Sequence, residues 1–178
     1  FPHITNKQIT TLYDTFNSSI NEYDYKGKFN AVFPLKVNQL PNFIHPLVSM
    51  GKKYNYGLEA GSKAELVIAM TYNNMGSPIT INGFKDKEMI HLCFIAKSMG
   101  HNITIIIEGL NELEMIIEVL KETKLESPNI GLRVRLHSGG SGLWAKSGGI
   151  NSKFGLTSTE ILEAYELMED NNIVKSLT

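Results

Sequence analysis

The sequence predicts an α/β chain of parallel βα units: a parallel (β/α)8 barrel of the TIM type, truncated to about five to six units. Three observations lead there. Strand-like and helix-like runs alternate, with a strand about every 25 residues, the rhythm of repeated βα units. Polar residues fall at or near the C-terminal ends of the strands: Lys36, Glu59, Asn82, Glu108 and the pair Arg133 and Arg135. A barrel builds its active site from such positions, whereas an open doubly wound sheet uses mainly the loops at its switch point. Finally, no G-x-G-x-x-G fingerprint follows a strand and no G-x-x-x-x-G-K-[ST] loop is present, which weighs against the open-sheet nucleotide binder.

Each element follows from local pattern. From Thr5 to about Glu22, Ile9, Leu12, Tyr13, Phe16 and Ile20 share one helical face, and Thr5 with Gln8 reads as a capping box. Ala31–Val37 reads as a strand whose alternation puts Lys36 on one face with Val32 and Pro34. Proline cannot donate to a ladder, so Pro34 predicts an irregularity just before Lys36. Tyr56–Ala60 is the second strand, and Ser62–Glu65 caps the helix after it. Pro78–Asn82 is the third, closed by the turn signal Asn82–Gly83. A helix carrying His91 and Cys93 as packing residues leads to the fourth, Ile103–Glu108. Leu110, Leu113, Ile116, Ile117 and Leu120 then form an apolar stripe with glutamates outside it. In the fifth strand, Ile130–Leu136, Arg133, Arg135 and His137 alternate with Leu132, Val134 and Leu136. A last helix spans Ser158 to Asp170. The chain opens at Phe1 without methionine and closes on "VKSLT", which reads as the start of a strand, so a piece of a longer protein is expected.

Composition bounds the function. The chain has 178 residues and is 42% hydrophobic, enough for a sizeable core. Lys plus Arg number 17 against 18 Asp plus Glu, a balance with no electrostatic footprint for nucleic acid or an anionic membrane. The single cysteine, Cys93, excludes an internal disulfide and fits a reducing, cytoplasmic compartment. No apolar run approaches the ~20 residues of a membrane span. The five histidines show no metal-ligand spacing.

Two stretches carry chemistry. A lysine at a strand end is ordinarily solvated surface. Lys36, however, sits in the apolar run "FPLKVNQL" beside other polar strand ends, where a lowered pKa would make it a nucleophile for carbonyl carbon. Such an amine forms Schiff bases, including the one that holds pyridoxal phosphate. Glu59 reads either as a helix-start acid or as a site residue. The second stretch, "HSGGSGLWAKSGGINSKFGL" (His137–Leu156), holds six glycines and the only tryptophan and lacks periodicity. It reads either as a disordered surface loop or as a lid or substrate-binding loop.

Taken in order, "FPLKVNQ", "GLEAGSKAEL", "NGFKDKE" and "GLRVRL…SGGSGLWAKSGGINSKFGL" resemble the biosynthetic arginine decarboxylases, pyridoxal-phosphate enzymes of the alanine-racemase-like barrel group. The likeness runs from about Tyr23 to Leu156; Phe84 stands where tyrosine is expected. The resemblance implies that Lys36 bonds covalently to pyridoxal phosphate, with Glu59 beside it and Arg133 facing the cofactor ring. Asn82 joins them among the cofactor-binding residues, and Ser138, Gly139, Gly140, Ser152, Lys153 and Phe154 form the substrate loop. It further implies decarboxylation of L-arginine to agmatine in polyamine and spermidine biosynthesis, a magnesium requirement and a homodimer or higher assembly. On this expectation residues 1–178 are part of a barrel, the rest of it and a C-terminal β-domain lie elsewhere, and the piece alone is inactive. The rival readings are a decarboxylase of the same fold for another amino acid and a non-catalytic homologue.

Overall fold

The computed structural model describes residues 1–136 and 154–178. In chain order the elements are α1 (Pro2–Glu22), β1 (Val32–Pro34), α2 (Pro41–Gly51), β2 (Gly57–Ala60), α3 (Lys63–Tyr72), β3 (Pro78–Ile81), α4 (Lys87–Ser98), β4 (Asn102–Ile107), α5 (Leu110–Thr123), β5 (Asn129–Leu132) and α6 (Ser158–Asp170). The strands form one five-stranded parallel sheet in the order β1-β2-β3-β4-β5. Sheet order that follows chain order has no switch point, which is the barrel arrangement and not the doubly wound one. The residues group into two compact units, Phe1–Thr80 with Gly100–Asn102, and Ile81–Met99 with Ile103–Thr178.

In the first unit α1 starts earlier than its sequence suggests. Pro2 opens the helix, where its missing N–H costs nothing, and Phe1 is the N-cap, so Thr5 lies inside the helix and is not a cap. Only Ile9 and Tyr13 of the expected stripe are buried; Leu12 and Phe16 remain partly exposed. Tyr13 stacks on Tyr54 at 4.5 Å, and its hydroxyl accepts the Ala31 N–H at 3.1 Å, which fixes the entry to β1. β1 pairs with β2 in the register Val32↔Gly57, Phe33↔Leu58, Pro34↔Glu59. Gly57 is required by close approach: a Cβ there would stand 2.1 Å from the Pro78 carbonyl oxygen.

The second unit is built on alternation. Ile103, Ile105 and Ile107 of β4 are fully buried, and Ile105 lies beside the buried Ile130 of β5. Asp86 caps α4 by accepting the Met89 N–H at 2.8 Å. Leu113, Ile116, Ile117 and Val119 of α5 face the core. One glutamate breaks the expected pattern: Glu112 is buried with them. His91 is a second correction. It does not pack in the core but lies 3.2 Å from Glu122, which also takes Lys87 at 2.6 Å. Hydrogen bonds to Glu118 and Glu122 raise the pKa of Lys87, and the bond from Lys87, with a smaller part from His91, lowers that of Glu122. α6 begins as predicted, at a full capping box of Thr157 and Glu160. Val174–Ser176 is a 3₁₀ turn where a strand start was expected; pairing begins one residue later, with Leu177 bridging Ile130.

Cys93 is fully buried, and desolvation pushes its thiol up to about 12, although the charge of Lys85 pulls the other way. The thiolate is the reactive form. Ellman's reagent at neutral pH is therefore expected to leave Cys93 unmodified in the folded protein and to titrate it once urea unfolds the chain. Rapid labelling without denaturant would contradict this burial.

Candidate functional site

In the first unit the chain bends where the site lysine sits. Pro34 is the last residue of β1, the Leu35 N–H donates to the Glu59 carbonyl at 2.9 Å, and the Val37 N–H closes a turn onto the Pro34 carbonyl at 3.0 Å. This turn is the irregularity that the proline predicts. It also corrects the position of Lys36, which lies in the turn and not on a buried strand face. The Lys36 side chain keeps 68% of its exposure, and Nζ lies 3.8 Å from the carboxylate of Glu59, which is 17% exposed on β2. Next to this pair Ser62 caps α3, while Glu65 accepts the Gly61 N–H at 2.7 Å and the Gln39 side-chain amide at 3.1 Å.

The second unit carries Asn82, one residue past β3, Glu108, one past β4, and Arg133, one past β5. β5 ends at Leu132, so the alternation expected through Leu136 stops there. The Arg133 N–H still donates to the Ile107 carbonyl at 3.0 Å, which holds the residue at the strand end. Its guanidinium pairs with Glu108, and the ring of Phe154 lies 5.1 Å from it. Phe154 is brought there by Gly155. With φ of +89°, Gly155 lets Leu156 pair with Val134, and a Cβ on it would meet Arg133 and Arg135 backbone atoms at 3.0 to 3.1 Å. Arg135 donates to the Gly155 carbonyl at 3.1 Å. Of the expected substrate loop only Phe154 is among the described residues; Ser138, Gly139, Gly140, Ser152 and Lys153 lie outside them, as does His137.

Each unit thus presents a cation against a carboxylate at strand ends: Lys36 with Glu59, and Arg133 with Glu108. An accessible amine beside an acid, freed from the sheet by a turn, is the donor set that an aldehyde cofactor requires. No three His, Cys, Asp or Glu side chains among the described residues converge as metal ligands. No helix among them is long and apolar enough to cross a membrane.

A parallel sheet whose strand order follows the chain, with a lysine in the turn after β1, fits a (β/α) barrel of the alanine-racemase-like group. The chain belongs to the pyridoxal-dependent decarboxylases, matching the model of their pyridoxal binding domain over residues 8–175. Among its relatives, the biosynthetic arginine decarboxylase of Bacteroides thetaiotaomicron is 42% identical over 97% of this chain. The crystal structure of the biosynthetic arginine decarboxylase of Campylobacter jejuni superimposes with a TM-score of 0.90 at 58% identity over the whole chain. Diaminopimelate decarboxylase of Helicobacter pylori shares the fold, with a TM-score of 0.67 at 18% identity, and covers 97% of this chain. The chain spans 28% of the length of both arginine decarboxylases.

Sequence reasoning put Lys36, Glu59, Glu108 and Arg133 at or near strand ends but missed Lys85 and Glu112, the pair behind Glu108. Lys85 and Glu112 were passed over because one is embedded in a motif and the other looks like an ordinary helix-face acid. The Phe154–Arg133 contact was invisible because it depends on how Gly155 turns. A glycine comparison checks that account. Gly76 shares the left-handed geometry, with φ of +88°, but has nothing near its Cβ position. Gly76→Ala is expected to cost about 1 kcal/mol and Gly155→Ala clearly more, read as urea midpoints. Equal costs would show that the Gly155 backbone contact is unimportant.

Proposed function

We propose that the protein carrying this chain decarboxylates L-arginine to agmatine and carbon dioxide with pyridoxal phosphate, as a biosynthetic step toward polyamines. The observation that carries this reading is the 58% identity to an arginine decarboxylase over the whole chain, with Lys36 and its acid at the strand ends. Residues 1–178 would supply part of the barrel of a cytoplasmic homodimer or larger homo-oligomer.

Lys36 Nζ, exposed in the turn after β1, is the amine that would hold the cofactor through its aldehyde. Glu59, 3.8 Å away, is the counter-charge that would orient the Lys36 side chain. When bound, pyridoxal phosphate supplies the electron sink for the pair left behind by departing carbon dioxide. Arg133 is held by Glu108 and serves the cofactor; Asn82 lies at the neighbouring strand end of its unit. The far end of the substrate is a cation, and an arginine placed there would repel it.

In the full-length protein, Lys36→Ala is expected to abolish agmatine formation from arginine. An active Lys36→Ala variant, or a parent that releases no carbon dioxide from arginine, would overturn the proposal. Turnover of lysine, ornithine or diaminopimelate in place of arginine would favour a same-fold decarboxylase for another amino acid.

Arg133→Ala gives a separate check. It is expected to lower kcat/KM for arginine and for lysine alike and to leave their ratio unchanged. A ratio that moves about tenfold, or about 1.4 kcal/mol of discrimination, would show that Arg133 reads the side chain.

A further inference from the structure

Lys85, in the motif "NGFKDKE", is one of the large side chains fully buried among the described residues, and the proposed function gives it no task. Its side chain is wholly inaccessible, and its Nζ lies 3.1 Å from Glu112 Oε1 and donates to the Gly83 carbonyl. The other Glu112 oxygen accepts the Glu108 N–H at 2.8 Å. One ion pair thus grips two loops of the second unit: the one after β3, next to Asn82, and the one after β4, at Glu108. Glu108 is the residue that pairs with Arg133.

A buried charge is costly unless its hydrogen-bonding capacity is met, and a hydrophobic pair of similar volume often serves stability as well. Stability therefore gives no reason to keep an ammonium here. Geometry does, because only a branched set of donors and acceptors can bind Gly83 and Glu108 at once. The first unit repeats the device without the cation: Glu65 accepts the Gly61 N–H after β2 and the amide of Gln39 from the loop after β1. In both units a first-turn glutamate ties its own strand–helix loop to the loop of an earlier strand.

We propose that Lys85 and Glu112 are positioning residues that fix Asn82 and the Glu108–Arg133 pair for the cofactor. The cofactor part of this proposal rests on the functional reading above. The loop-holding part does not.

The test uses the full-length protein and the double variant K85M/E112L, which removes both charges together. Three quantities are read: the thermal midpoint, amide hydrogen exchange at Gly83–Lys85 and Glu108, and the Kd for pyridoxal phosphate by equilibrium dialysis. The expected result is a thermal midpoint close to the parent's, exchange at those amides faster by about tenfold or more, and cofactor binding weakened by a similar factor. A well-folded double variant with parental exchange and parental Kd would overturn the proposal, because the pair would then be only core filling. If the double variant fails to fold, Lys85→Gln supplies the same readings with Glu112 still able to hold Glu108. It should loosen Gly83–Lys85 and spare the Glu108 amide. Unchanged exchange at Gly83–Lys85 in that variant would equally overturn the proposal. A parent that binds no pyridoxal phosphate would sink the functional reading while the exchange measurements still decide the loop-holding role.

Discussion

The structure depends on the parallel ladder. A parallel strand cannot return by a tight turn, so each is followed by a helix that carries the chain back. Every strand then ends at a strand-to-helix loop, and those loops are free to hold polar groups that the sheet interior would reject. Lys36, Glu59, Asn82, Glu108 and Arg133 all stand at such ends or within two residues of them. The isoleucines of β4 and the buried Ile130 supply the apolar side of the same bargain. Loop geometry matters because the strands are short: β1 has 3 residues and β2, β3 and β5 have 4 each, so a single misplaced residue would move a site group out of its strand end.

The two units solve loop placement with the same chemistry. In each, a glutamate in the first helical turn accepts a backbone N–H four residues back, as Glu65 does from Gly61 and Glu112 from Glu108. This satisfies an otherwise orphaned donor at the helix start and places a carboxylate where the dipole favours it. The remaining oxygen is left to bind a side chain from an earlier loop, Gln39 in one unit and Lys85 in the other. What fixes the start of the helix thus also determines where the strand-end residues sit.

Much of this was legible in the sequence, and the failures have physical causes. Strand positions followed from apolar runs, and α6 was placed to the residue; the structure shows it opening at a capping box of Thr157 and Glu160. The strand around Lys36 was read too long because alternation continues through "FPLKV" while the hydrogen-bonded ladder gives way to a turn after Pro34. β5 was overextended for a like reason: Val134 does pair, but with Leu156 and not with β4. At α1 the capping box was a false signal, since Pro2 starts the helix before it. Glu112 was assigned to solvent because a sequence cannot show that a lysine 27 positions earlier is buried beside it.

The central claim is that the lysine delivered by the turn after β1 bonds to the cofactor. Treating the full-length protein with pyridoxal phosphate, reducing it with borohydride and mapping the peptides by mass spectrometry tests this directly. The account predicts a single pyridoxyl adduct, on Lys36. An adduct on another lysine, including the buried Lys85, with Lys36 unmodified, would contradict it.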